Sequence, residues 1–508
     1  MADWPDRCVR FLASRRVSSP ARDGLPRAPP PLLVPTSESP PMRTLAATLG
    51  ICVFGFLQVD LASAQQLSQP LSVRQAAYDY YDYFEYAEKP APTPGENTDP
   101  AIKSDASQAS IGCDLTTGCD PAACSPALAC RQCSRCRGGC GFGEWLSGIT
   151  HGGWIQVGGT ANGSHPTDNY NGPIMTNDRA DTAQMNHLWY YFERKIDTSR
   201  GFDIGGRFDI IYGTDWRIVD CYGNGLENRM NGADSLYGIA LPLMYVEAGY
   251  GDLSVKIGRM PGILGYEQVP PMANFFYSHS YSICYGEPVL ITGMMGTYAL
   301  SDQVSVLAGF HQGVHQFENI NGEINFQGGV KWTSRDGRTS LAYCLDAGRN
   351  DLDGLRDEYI HSIVFQRQIN RRLKYVFQSD YGFRDMLAGE QDTDYYSFIN
   401  YLFYELNQKW SVGMRAELFR DEDGTRIVGA GNLPNARGWM GAPGYAGSFT
   451  ELTFGLNYKP RANMLVRPEL RWDWYAGDAN PNGPYPYPFD DGTKKSQFTA
   501  ACDFIWMF

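Results

Sequence analysis

The chain has 508 residues, with Lys+Arg 43 against Asp+Glu 56 and a formal charge of −13. This acidic balance excludes nucleic acid as the expected partner, because phosphate backbones are met by basic clusters. Gly 55, Tyr 31, Phe 25 and Trp 11 favour strands, turns and membrane-interface positions.

Residues 1–41 form a Pro- and Arg-containing irregular run and read as a non-native upstream extension. Residues 42–64 read as a signal peptide. Met42-Arg43 supplies the charged start, Leu45 to Leu57 the apolar stretch, and Ala62-Ser63-Ala64 the cleavage site. The apolar stretch is shorter than the roughly 20 residues that a spanning helix needs. No later run is long and apolar enough either. Export without a membrane helix leaves the periplasm, secretion or an outer-membrane barrel.

Residues 65–112 are rich in Tyr, then Pro, and are expected to be a disordered periplasmic segment. Residues 113–140 carry Cys113, Cys119, Cys124, Cys130, Cys133, Cys136 and Cys140. The last four have the C-x2-C-x2-C-x3-C spacing of a ferredoxin cluster. Gly141 replaces the usual Pro, and the signal lacks a twin-Arg for export of a folded, loaded protein. An oxidising destination favours disulfides, with one thiol of the seven left over. No cofactor is expected.

Residues 141–508 alternate apolar and polar side chains in short segments, the mark of strands. Sixteen segments are expected, at 152–162, 184–196, 202–212, 241–250, 252–260, 289–300, 303–314, 324–334, 338–347, 359–369, 372–383, 394–405, 409–420, 448–459, 463–475 and 497–508. Segments 359–369 and 394–405 alternate poorly, which leaves a range of about 14–18 for an even-numbered barrel. Connections alternate short and long, as periplasmic turns and extracellular loops do. The fold expected is therefore all-β: a transmembrane, antiparallel, up-and-down β-barrel, preceded by a cysteine-rich, mostly irregular N-terminal segment.

Alternation aims Asp203, Arg207, Asp209, Glu247, Lys256, Arg415, Glu417, Arg467, Glu469, Arg471, Asp473 and Asp503 inward. A lipid-facing Arg or Lys at mid-depth costs about 2–4 kcal/mol, so the faces cannot be exchanged. Trp410, Tyr458, Trp472, Trp474 and Trp506 fit interface girdles. The chain closes with Phe504, Trp506 and Phe508 on one face, an aromatic-ended strand suited to recognition by barrel-assembly machinery.

The stretches RFDIIYGTDWR (207–217), LPLMYVEAGYGDLSVKIGRM (241–260) and GYEQVPPMANFFYSHSYSICYGEPVLITG (265–293) resemble the OmpL-like beta-barrel porin family of bacterial outer membranes. The resemblance runs from Gly152 to Phe508 and implies a passive diffusion pore. It brings no established solute, and it does not reach the cysteine-rich segment.

The third long loop, 261 to 288, is apolar-rich and is expected to fold into the lumen as a constriction. Its residues of interest are Glu267, Asn274, Phe275, Phe276, Tyr277, His279 and Glu287. Cys284 in this loop and Cys221 in the preceding long loop are candidates for a disulfide latch. Inward acids outnumber inward bases, which favours cations. The expected partners are outer-membrane lipid, the assembly machinery and small hydrophilic solutes, and a homo-oligomer is compatible with the pattern. Two other classes compete. One is a structural or adhesive barrel with a filled lumen. The other is a barrel hydrolase, for which His279 between Ser278 and Ser280 is the best base. His311, His315 and Glu318 have metal-like spacing but fall at a strand end, and are expected to be solvated rim residues.

Overall fold

The computed structural model describes residues 148–508, except 222, 224, 232–234, 351–353, 386–390, 428–443 and 481–484. The expected upstream extension, signal peptide, Tyr/Pro-rich segment and cysteine-rich segment lie outside the described residues. Seventeen strand segments form a single sheet. In chain order they are β1 (Thr150–Asn162), β2 (Thr182–Arg194), β3 (Asp203–Gly213), β4 (Gly238–Ala240), β5 (Met244–Tyr250), β6 (Leu253–Pro261), β7 (Leu290–Ala299), β8 (Val304–Val314) and β9 (Asn325–Thr333). There follow β10 (Thr339–Gly348), β11 (Glu358–Gln368), β12 (Leu373–Arg384), β13 (Thr393–Glu405), β14 (Trp410–Asp421), β15 (Gly447–Tyr458), β16 (Met464–Gly477) and β17 (Ser496–Met507).

Pairing is antiparallel throughout, and β1 pairs with both β2 and β17, so the sheet closes on itself. β4 and β5 both pair with β3. They are two halves of one stave, and the barrel has sixteen staves. The expectation of one unbroken strand over 241–250 is corrected here. The stave starts at Gly238 and opens at Leu241–Leu243, where Pro242 has no N–H to give to a ladder. The gap is bridged by the Asp209 N–H, which donates to the Leu243 carbonyl at 2.9 Å. The loop before this stave also carries two short helices, α1 (Trp216–Val219) and α2 (Gly225–Met230), that alternation did not reveal.

The two faces separate cleanly. Ile204, Phe208, Ile210, Val246, Ile257, Phe454, Leu470, Phe504 and Trp506 are exposed on the outside. Arg207, Asp209, Arg415, Glu451, Arg467, Arg471, Asp473 and Asp503 are buried on the inside. Closure leaves no sheet edge, which in hydrocarbon would cost several kcal/mol per unpaired backbone group. Trp410 stacks on Tyr458 at 4.2 Å where β14 begins and β15 ends, at the short-turn end of the barrel.

The last residue completes the seam. The Phe508 N–H donates to the Gly153 carbonyl, and the Gly153 N–H donates to the Phe508 carbonyl, both at 2.9 Å. Its ring lies outside, 5.5 Å from that of Trp506. Met507 packs partly buried against the interior cluster. Phe508→Asp is therefore expected to lower the yield of heat-modifiable barrel in membranes severalfold more than Met507→Asp. Quantifying folded and unfolded bands in isolated outer membranes checks this, and equal yields would contradict it.

Candidate functional site: the charged inner wall and the third loop

Period-two alternation on the staves stacks charged side chains into the lumen. On β3, Arg207 binds Asp209 at 2.7 Å, and Trp189 Nε1 donates to the same carboxylate at 2.7 Å. Glu247 and Lys256 pair across β5 and β6 at 4.0 Å. On β14, Arg415 binds Glu451 of β15 at 2.5 Å. On β16, Arg467 binds Asp503 of β17 at 2.6 Å, and Arg471 binds Asp473 at 2.8 Å. Asp203 is only half-buried. It sits beside a short turn and pairs with Arg194 at 3.0 Å.

The third loop, residues 262–289 between β6 and β7, runs across this wall. Its backbone is held from both signs of charge. Glu469 accepts from the Tyr277 and Ser278 amides at 2.8 and 3.2 Å. Glu417 accepts from the Tyr281 and Ser282 amides at 2.6 and 2.8 Å. In the other direction, Arg415 donates to the Ser278 carbonyl at 2.8 Å. Arg471 donates to the His279 carbonyl at 2.6 Å. Arg467 donates to the Pro271 and Asn274 carbonyls at 2.7 and 2.8 Å. Charge-assisted bonds of this kind are the strong class, at about 1.5–3 kcal/mol each.

Loop side chains add further anchors. Tyr277 Oη donates to Asn186 on β2, and Tyr281 Oη donates to Asp473 at 2.7 Å. Glu267 binds Arg415 at 2.7 Å and His279 Nδ1 at 3.1 Å. Burial opposes the Glu267 charge, but Arg415 and His279 outweigh it and hold the carboxyl well below its usual range. Glu287 is the opposite case. Burial and the Asp380 carboxylate push it well above the usual range, and Gln378 is its hydrogen-bond partner. Asn274 closes its own turn through the Gln268 amide at 2.9 Å.

The loop's aromatics sit in seats cut into the wall. A Cβ on Gly158 would lie 2.6 Å from the Tyr277 ring, and one on Gly413 would lie 2.5 Å from the Phe275 ring. Phe275 stacks on Phe403 at 4.8 Å. Phe276 is buried with Val364, Val376, Ile399 and Tyr401, and the Arg415 guanidinium lies 5.1 Å from its ring centre. An inward glycine in a strand is the one sequence signal for such a seat. Asn186, Gln378 and Tyr395 also lie on inward faces, and nothing in the sequence singles them out.

Two expectations are corrected. Cys221 and Cys284 are both buried but carry thiols, and no bridge joins them. Cys221 Sγ instead donates to Glu227 Oε2 at 3.3 Å. His311 is not a solvated rim residue. It is buried against Asp346 at 2.8 Å, while His315 Nδ1 meets the Asp220 carbonyl. Among the described residues no cluster of His, Cys, Asp and Glu has metal-binding geometry.

A closed sixteen-stave barrel, apolar outside and charged inside, is a protein of the bacterial outer membrane. The chain belongs to the family described as Putative beta-barrel porin-2, OmpL-like, whose model matches residues 148–508. No curated protein matches it. Among solved structures it is similar to the outer membrane channel DcaP of Acinetobacter baumannii, at 10% identity and a TM-score of 0.46, covering 71% of this chain and 97% of that one. It is also similar to OmpT of Vibrio cholerae, at 9% identity and a TM-score of 0.45, covering 71% and 97%. An anion-selective porin from Comamonas acidovorans matches at 10% identity and a TM-score of 0.45, covering 71% and 99%.

The two loop carboxyls give a paired prediction. Glu267→Gln leaves a buried guanidinium short of a charge and is expected to cost on the order of 3–5 kcal/mol in denaturant unfolding from lipid vesicles. Glu287→Gln removes a carboxyl whose charge burial and Asp380 already disfavour, and is expected to cost much less. Because the folded Glu267 pKa is depressed, its contribution is full above the unfolded value of about 4.3 and fades as pH falls through the folded one. Equal losses from the two variants would contradict this assignment.

Proposed function

We propose that the protein is a general or weakly selective porin: a passive path for small hydrophilic solutes and ions, narrowed by the third loop. The observation that carries this reading is the two-signed grip of the inner wall on the backbone of residues 271–282. A loop held this way stands inside the barrel cross-section rather than over its mouth. The charges expected along the path are Asp203, Arg207, Asp209, Glu247, Lys256, Arg415, Glu417, Arg467, Glu469, Arg471 and Asp473; all of these but Asp203 and Lys256 are themselves buried and would act on solutes through their field rather than by contact. The loop residues at the narrowing would be Glu267, Asn274, Phe275, Phe276, Tyr277, His279 and Glu287. Selectivity follows from width and fixed charge.

The charge pattern supports a mild cation preference. The buried wall arginines Arg207, Arg415, Arg467 and Arg471 each have a carboxylate partner. Glu417 and Glu469 are instead met by loop amides, and Asp421 by the amides of Thr425, Arg426 and Ile427. Acidic side chains on the inward faces outnumber basic ones, which favours a negative field in the lumen. Export by the 42–64 signal, a periplasmic 65–112 segment, a disulfide-bearing 113–140 segment and folding by the assembly machinery through Phe504, Trp506 and Phe508 belong to the same proposal.

For the hydrolase alternative, the two hydroxyls beside His279 are engaged away from it. His279 Nδ1 is engaged by Glu267, Ser278 Oγ accepts from Arg415 at 3.1 Å, and Ser280 Oγ accepts from the Ile283 amide. The adhesive alternative is separated from a pore by conductance. Deleting residues 270–283 is expected to raise single-channel conductance severalfold in planar bilayers and to move the zero-current potential in a salt gradient toward zero. Unchanged conductance from a barrel that still shows heat-modifiable mobility would remove the constriction role. No conductance from either protein would favour the filled, adhesive barrel.

A further inference from the structure

We propose that the inner wall behind the first long loop binds an alkali-metal cation, held by the oxygens of Thr176, Asn177, Gln184 and Thr499. The first long loop, residues 163–181, leaves β1 and packs against both neighbours of that strand. Its Thr176 carbonyl accepts from the side-chain amides of Gln184 and Asn186 on β2. Its Asn171 carbonyl accepts from Gln497 on β17 at 2.8 Å. Asn177 Nδ2 donates to Thr160 Oγ1 on β1 at 3.2 Å. These bonds occupy the amide donors. They fix Gln184 with its carbonyl oxygen turned away from Thr176, and they leave the Asn177 carbonyl oxygen over.

Four buried oxygens result. Thr176 Oγ1, Asn177 Oδ1, Gln184 Oε1 and Thr499 Oγ1 have no hydrogen-bond partner among the described residues. The four residues are between 1% and 3% exposed, so bulk water does not reach these atoms. Register gathers them around Thr160. Thr160 pairs with Thr182 and Gly158 with Gln184, which sets Gln184 diagonally from Thr160 on the β2 side. Thr160 pairs with Ala501 and Asn162 with Thr499, which sets Thr499 diagonally from Thr160 on the β17 side. Diagonal neighbours on one face of a sheet are within reach of a shared partner. Asn177 is bonded to Thr160 itself, and Thr176 precedes it.

Buried polar atoms are costly to leave unmet, and a native group of them calls for an ion or a water. The chemistry of the set favours the ion. Two of the atoms are amide carbonyl oxygens, which can only accept, and two are hydroxyl oxygens with lone pairs. One water brings two donors to these four oxygens. One hard cation takes a lone pair from each, as carbonyl oxygens do when they replace the hydration shell of potassium. The charge of the ion follows from its neighbours. Asp178 pairs with Arg217 at 3.0 Å and Asp181 with His165 at 2.7 Å, so the nearby loop carboxylates are already engaged. Neutral ligands suit a monovalent ion, sodium or potassium, whereas calcium is drawn by carboxylates. A cation here would tie the first loop to β1, β2 and β17 at once. The site lies behind the loop and stands whether or not solutes pass the lumen.

The test uses the full chain folded in lipid vesicles, with the thermal midpoint read from heat-modifiable mobility. KCl or NaCl is expected to raise the midpoint above that in N-methylglucamine chloride of equal ionic strength, because only the small cations fit the site. Thr499→Val keeps the shape and removes one ligand. It is expected to raise the salt concentration for half of the effect about tenfold. Asn177→Asp supplies an anionic ligand and is expected to lower that concentration about tenfold, so the proposal stays testable if one variant fails to fold. Crystals of the protein soaked in thallium(I) acetate are expected to show anomalous scattering at coordination distance from Asn177 Oδ1 and Gln184 Oε1. Equal midpoints in the three salts, variants that titrate like the unaltered protein, or no thallium at this position would each overturn the proposal.

Discussion

Hydrocarbon offers no hydrogen bonds, and this constraint organises the whole barrel. Every stave must find partners on both sides, so the first and last strands must meet, and Phe508 must reach Gly153. Once the sheet is closed, alternation leaves no choice about the interior. Each lipid-facing Phe or Leu on β3 or β16 has an Arg, Asp or Glu as its chain neighbour pointing inward. The charged lumen is thus a consequence of the apolar exterior, not a separate invention.

A lumen built this way has a packing problem. Guanidiniums and carboxylates that face one another across a narrow space need partners for their remaining donors and lone pairs. Arg415, Arg467 and Arg471 meet one carboxylate each on the wall and send their other N–H groups to carbonyls of the third loop. Glu417 and Glu469 take the amides beside those carbonyls. The loop serves as the second half of the wall's hydrogen-bond network. Its aromatics fill what the charges cannot, over glycines that leave the wall flat enough to receive them.

The staves were legible in the sequence because each carries its own period-two signal and is bounded by turn residues. Even β11 and β13, whose alternation is weak, fall within a residue or two of the expected limits. Their weakness has a physical reason: His361 and Asn400 lie on the outer face, where the pattern calls for apolar residues. The break at Pro242 and the helices α1 and α2 were hidden because a three-residue interruption and single helical turns leave no periodicity. The seat of the third loop was only half legible. Aromatic content pointed it inward, but which carboxylate takes which amide depends on staves more than a hundred residues apart. The thiols of Cys221 and Cys284 show the same limit, since residue type and compartment say nothing of distance or of a competing Glu227.

Amide hydrogen exchange of the third loop, followed by mass spectrometry on the protein in lipid vesicles, reads the wall's grip directly. The amides of Tyr277, Ser278, Tyr281 and Ser282 are expected to be protected to nearly the level of the strands, and to exchange at least a hundredfold faster in the Glu417→Gln, Glu469→Gln double variant. Exchange of those four amides at the rate of the open extracellular loops in the unaltered protein would contradict the charge-held loop on which the pore reading stands.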